Sequence, residues 1–239
     1  MQKPESSTFR LKQVFNDQPS PSTLNFQPYL CHMIFSSTLL ENAVMEFAKL
    51  PGIGKKTALR LVLHLLKKEV NDVKDFSEAV LKMREEINFC IRCHNIADKQ
   101  LCNICADRAR LQQMLCIVES IRDVIAIEST QQYNGLYHVL GGVISPLDGI
   151  GPDQLQIDSL LKRVEEEKTE ELIFALSPNI QGDTTIFYIN RKLKTQPVKI
   201  TTIARGIAFG GELEYADEMT LARSISNRIP VENYVGNKF

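Results

Sequence analysis

A chain of 239 residues, 44% apolar and 24% charged, has the composition of an ordinary globular protein with core enough for one or two domains. Its formal net charge of -1 excludes a uniformly basic nucleic-acid coat, so any DNA contact has to come from a local patch. No apolar run approaches the roughly 18–20 residues that span a bilayer.

Residues 1–32 hold four of the ten prolines, several serines and neither a helical nor a strand period. That composition predicts a disordered tail. The alternative is that translation naturally begins at Met33, which opens what looks like a complete domain start. Nothing at the N-terminus resembles a secretion signal. Cys31, in this stretch, has no assigned role.

From Ser37 the pattern becomes helical. Leu39, Leu40, Ala43, Val44 and Phe47 recur at the spacing of a short amphipathic helix. Leu50-Pro51-Gly52-Ile53-Gly54 breaks it, and a second helix is expected from Lys55 to about Lys68, with Ala58, Leu61, Val62, Leu65 and Leu66 inward. His64, among these apolar residues, is expected as a core histidine. Helix, PGIG turn, helix is the pattern of a helix-hairpin-helix. The glycines let backbone N–H groups at the second helix's start approach a phosphate, with the helix dipole assisting. Lys55, Lys56 and Arg60 add positive charge on the same turns, and such contacts read the backbone, not the bases. The bland alternative is an αα-hairpin with a solvated basic end.

A third helix is expected over 73–89, with Phe76, Val80, Met83 and Ile87 on one side. It leads into Cys90-x2-Cys93-x8-Cys102-x2-Cys105. Each C-x2-C turn presents two sulfurs to one point, and two such turns supply the four tetrahedral thiolates that Zn²⁺ prefers. His94 adjoins Cys93 as an alternative ligand, but the cysteines already fill the shell. With no position left for water or substrate, the zinc is structural and not catalytic. Paired disulfides are the competing reading and suit an oxidising compartment. Cys116 lies in an apolar run and is expected as a buried small hydrophobe.

Beyond the cysteines the period changes. Apolar runs of strand length at 115–118, 136–140, 172–176 and 198–203 alternate with helical patterns at 121–127, 155–164 and 184–193, and a last helix is expected near 217–227. Alternation of this kind predicts a parallel α/β sheet covered on both faces. The fold class is therefore α/β with an N-terminal all-α part. Functional groups of such sheets gather beyond the strands' carboxyl ends. That draws attention to Glu119, to Ser177-Pro178-Asn179 with Gly182 and Asp183, and to Arg205-Gly206. An acid after the first strand and an acidic pair after a later one resembles the Toprim arrangement, whose carboxylates hold Mg²⁺ for phosphoryl transfer. Here Ser177-Pro178-Asn179 stands where the Asp-x-Asp pair belongs, leaving Glu119 and Asp183 as two scattered acids. Tyr133, Tyr137 and Tyr188 lie within the domain's own elements and are expected to pack.

Taken in order, these parts resemble the RecR family of bacterial recombination mediators. LPGIGKKTALRL at 50–61, CIRCHNIADKQLCNIC at 90–105, GVISPLDGIGPDQLQI at 142–157 and ARGIAFGGELEYADEMTLARSISNR at 204–228 carry the resemblance, which covers about 33–239. One departure is Ser177 to Asp183, where the family's NPTxEGE-like segment loses an acid to Gln181. The implied organisation is a helical domain with the helix-hairpin-helix over 33–89, a four-cysteine zinc finger over 90–105, a Toprim domain over 112–206 and a C-terminal segment over 207–239.

The resemblance implies a cytoplasmic, nucleoid-associated binding protein and not an enzyme: a homo-dimer or tetramer forming a ring-shaped DNA clamp. It would hold gapped, single- or double-stranded DNA without sequence preference. It would act with RecO, and possibly RecF, to load RecA. Lys55, Lys56 and Arg60 carry over as DNA contacts, the four cysteines as zinc ligands, and Glu119 and Asp183 as candidates for partner contact. The rival class is a Toprim phosphoryl-transfer enzyme, nuclease or primase-like.

Overall fold

The computed structural model describes residues 36–207 and 210–230. The expected tail over 1–32, with Cys31, and Met33 lie outside them. The described chain divides at Val73 and Lys74 into two compact units.

In the first unit, helix α1 (Thr38–Ala48) starts where Ser37 accepts a hydrogen bond from the Leu40 N–H at 3.4 Å, a capping contact that satisfies an otherwise orphaned donor. Helix α2 (Lys55–Leu65) packs Ala58 and Val62 against Val44 of α1, with Leu40, Phe47, Ile53 and Leu59 around them. The helix ends three residues short of Lys68, and Leu66 is exposed. His64 is exposed too, correcting its expected place in the core. Geometry gives the reason: at ~100° per residue, His64 lies about 200° round from Val62, one turn beyond Arg60 on the outward face.

Helix α3 (Val70–Glu86) runs across the division, three residues earlier than expected at both ends, and buries none of its residues. The apolar face of Phe76, Val80 and Met83 is thus exposed.

After α3 the second unit continues with a two-stranded ribbon, β1 (Asn88–Phe89) antiparallel to β2 (Ile96–Ala97), and a single-turn helix α4 (Asn103–Ala106). A four-stranded parallel sheet follows: β3 (Leu111–Val118), β4 (Gly135–Val139), β5 (Glu171–Ala175) and β6 (Lys199–Thr202), in the order β4-β3-β5-β6. Helices α5 (Ile121–Ser129), α6 (Ile157–Glu166) and α7 (Ile180–Lys192) connect the strands, and α8 (Glu218–Ser226) comes last. Successive residues of β3 point to opposite faces. Leu115 and Ile117 join the larger core with Leu160 of α6 and Ile189 of α7; Cys116 and Val118 join a smaller one with Val124 of α5. A strand covered on both sides has to be apolar at every position, which is why it reads as a continuous run.

Helix α7 begins at Ile180, four residues before the expected 184, because the Asn179 side chain caps it by accepting the Gly182 N–H at 2.7 Å. Gly182 is therefore helical. A Cβ there would run into the Ser177 carbonyl oxygen, so the turn tolerates no side chain. Tyr137 is fully buried, and Tyr133 donates its hydroxyl to the Leu136 carbonyl at 2.9 Å, as packing residues should.

His138, fully buried in β4, forms a 2.8 Å hydrogen bond through Nε2 with the Gln156 carbonyl. Burial pushes its pKa down to about 3, and the neighbouring Arg163 and His94 act the same way. The folded state thus binds this proton less readily than the unfolded chain, whose histidine titrates near ~6.5. The stability carried by the neutral ring is complete above that value and falls away as the pH drops toward 3, at up to about 1.4 kcal/mol per pH unit. His138→Gln, which keeps a neutral polar group, should show a shallower fall in melting temperature from pH 6 to pH 4 than the native chain. Parallel curves would contradict this role for the ring.

Candidate metal centre and nucleic-acid interface

Cys90, Cys93, Cys102 and Cys105 are all buried, and their sulfurs lie within 4.8 Å of one another. The ribbon makes the site. Cys90 donates its N–H to the Asn95 carbonyl at 2.7 Å, and its own carbonyl accepts the His94 N–H at 2.9 Å, closing the first C-x2-C turn. His94 takes the left-handed backbone that this turn requires, with φ of 62°. The second turn is α4, whose N-cap is Cys102; its sulfur accepts the Cys105 N–H at 3.4 Å.

The Cys93 and Cys102 sulfurs are 3.5 Å apart, far beyond a disulfide bond of ~2.05 Å, and both are free thiols. That separation approaches the ~3.8 Å between thiolates bound tetrahedrally to zinc at about 2.3 Å. Hydrogen bonds from Cys105 and Cys93 pull the Cys102 thiol down toward the thiolate, while contact with Cys102 pushes Cys93 up. Four thiols this close ionise together only around a cation. The donor set fits one structural Zn²⁺ with every position filled by protein, and His94 is not needed: its Nε2 is spent on Ser159 Oγ at 2.9 Å.

The acids of the α/β domain do not assemble in the same way. Glu119, just past β3, accepts the backbone N–H of Ser177 just past β5. Asp183 is turned to Arg205, 2.6 Å away, and Arg223, 3.7 Å away; the Arg205 pairing holds its carboxyl below the usual range. Among the described residues the cysteine tetrad is the sole group of three or more metal-capable side chains within such reach. Glu119 and Asp183 brace the strand ends.

The hairpin of the first unit places Gly52 in the left-handed region, φ 77°, and Gly54 at the N-cap of α2 with no side chain to satisfy the helix's first N–H groups. The start of α2 is exposed at Gly54, Lys55 and Lys56, with Arg60 exposed a turn further on and no acid in the first turn. Lys56, Arg60, His64 and Lys67 line a shallow groove of about 460 Å³ with Leu59 and Leu63. His64 and Lys67 are members of this row that sequence reasoning missed; their spacing of three and four residues from Arg60 onward was the available signal.

Profiles of known families match the chain in the order of its parts. They are the RecR helix-hairpin-helix over 40–84, the RecR four-cysteine zinc finger domain over 87–107, the Toprim domain over 113–204 and the RecR C-terminal region over 206–229. The chain is 60% identical over 197 residues to a protein of Cytophaga hutchinsonii named Recombination protein RecR, covering 82% of this chain and 96% of that one. A protein of the same name from Flavobacterium johnsoniae is 57% identical over 205 residues, 86% of this chain and all of its own.

The chain belongs to the RecR family.

Family membership supports a role in recombination, and the RecR zinc-finger match falls on the cysteines whose geometry fits the metal. No helix among the described residues is long and apolar enough to cross a membrane. Replacing Cys90 with serine should release zinc and lower the melting temperature steeply, since metal binding in small zinc peptides is worth on the order of 10 kcal/mol. Metal analysis and a thermal melt of the variant check this; a full zinc equivalent with an unchanged melt would contradict a structural metal.

Proposed function

We propose that this chain is a DNA-binding recombination mediator that holds DNA by its backbone and catalyses no bond change itself. The observation that carries the reading is the start of α2, where uncapped N–H groups lie beside three exposed cations after a turn that only glycine permits comfortably. A positive helix end with unpaired donors binds phosphate irrespective of base. The relatives named as recombination proteins supply the process.

In the fuller reading, several copies form a ring, a dimer or tetramer, around gapped, single- or double-stranded DNA. They act with a RecO protein, and possibly RecF, to load RecA in the cytoplasm. A near-neutral chain suits a ring, because basic residues gather on the DNA face while the rest of the surface remains open to protein partners. Partner contact at Glu119 and Asp183 then goes through whatever their braces leave open: Glu119 accepts Ser177 through one oxygen, and the Asp183 side chain is 43% exposed. The metal-dependent nuclease alternative lacks a carboxylate cluster to hold Mg²⁺ among the described residues.

The test is DNA affinity across a salt series, read by fluorescence anisotropy. Each phosphate contact adds about 0.7–0.9 to the slope of log affinity against log salt. Lys56→Glu with Arg60→Glu should weaken binding about tenfold or more at low salt and reduce that slope by roughly 1.5–2, with the circular dichroism spectrum unchanged. Unchanged affinity and slope would sink the assignment of α2 as the DNA face.

A further inference from the structure

The cysteine knuckle does not hold itself together. A tetrathiolate zinc centre carries a net charge of -2, and its ligands need orientation from outside the first ring of atoms. In this chain that orientation comes through Arg92, inside the knuckle, which is held in turn by side chains 71 and 75 residues further along. Arg92, between Cys90 and Cys93, donates Nη1 to the Cys105 carbonyl at 3.4 Å and Nε to Glu167 Oε1 at 2.7 Å. Glu167 is the residue that ends α6, and its other oxygen accepts Arg163 Nε at 3.0 Å. Arg163, on α6 and 5% exposed, donates Nη1 to the Tyr137 carbonyl of β4 at 2.7 Å and to the Arg92 carbonyl at 3.4 Å. The main chain adds one more tie: Val139, in the edge strand β4, donates its N–H to the Cys93 carbonyl at 2.9 Å.

We infer that Glu167 is a positioning residue for the zinc centre: it clasps Arg92 and Arg163 together and so couples retention of the metal to α6 and β4 of the α/β domain. Two guanidiniums share one carboxylate, leaving a surplus positive charge beside the negative metal centre. One of them holds the carbonyl of a ligand residue, and the other grips the sheet. Glu167 has its carboxyl held below the usual range by Arg92 and Arg163 against the opposing effect of burial, so it remains the anion the clasp needs. The ties run both ways. Losing Glu167 frees the Cys90–Cys93 turn to open and release zinc, and losing zinc frees the β4 edge and α6. Neither the DNA face nor the recombination role enters this inference, so it stands or falls independently of them.

The experiment measures zinc release from the full-length, zinc-loaded protein to a chromophoric chelator at 25 °C. Glu167→Gln keeps the size of the side chain and removes its charge; it should release zinc about tenfold faster or more, with native far-UV circular dichroism. Ile189→Ala serves as control, because it opens the same domain core from α7, an element the clasp does not join. Its release rate should remain within about twofold of native at a comparable loss of melting temperature. Faster release in Glu167→Gln alone supports the inference; equal rates in the two variants, or a native rate in Glu167→Gln, overturn it. Should Glu167→Gln fail to fold, Arg92→Ala takes its place, since it removes only a partly exposed guanidinium. Acceleration there supports the clasp, and a native rate overturns it.

Discussion

Four sulfurs gathered within 4.8 Å set the main constraint on this molecule. Like-charged thiolates at that range repel one another, so the knuckle is stable only as a metal complex. Much of the surrounding structure follows from that requirement. The 90–105 segment is too short to bury a core of its own, and its cluster consists of the ligands themselves with Ala97 and little else. It hands Cys93's carbonyl to the edge strand β4 and Arg92 to the end of α6, covering a sheet edge that would otherwise present open hydrogen-bonding groups. The metal thereby finishes the α/β domain as much as the domain supports the metal.

Beyond the knuckle, the parallel sheet is a scaffold whose strand ends have been put to structural use. In sheets of this type ligands and metals gather past the carboxyl ends of the strands. Here that rim holds Glu119 bonded to the Ser177 N–H, Asn179 capping α7, and Asp183 paired with arginines. Each polar group has an internal partner, and an acid already paired with arginine is a poor ligand for a hard cation. The scaffold and the chemistry found on it elsewhere are separable, as fold and function generally are. The candidate DNA-holding surface lies on the helical hairpin of the first unit.

Much of this is legible in the residues. The C-x2-C pairs place the metal because the spacing itself dictates the geometry, and the strands of the α/β domain show up because burial on both faces forces unbroken apolar runs such as 115–118. Helix ends are harder. Asn179 as a cap for α7 looks the same in sequence as Asn179 in a loop, so the apolar period alone starts α7 at 184 and leaves Gly182 outside it. His64 reads as a core residue because its neighbours in sequence are apolar, while its neighbours in space are Arg60 and Lys67. The clasp of Arg92, Glu167 and Arg163 is invisible for a plainer reason: it joins residues 71 and 75 positions apart, and no local period records such a pairing.

The proposed role requires the chain to hold DNA without cutting it. The most direct measurement is a gel of the purified, zinc-loaded protein with gapped DNA in Mg²⁺, half of each sample run native and half stripped of protein. A retarded band in the first half and full-length DNA in the second is the predicted result, with the retardation strengthened when RecO is added. Shortened DNA that becomes intact again on replacing Glu119 would contradict it, because the rim of the sheet would then be a working catalytic site.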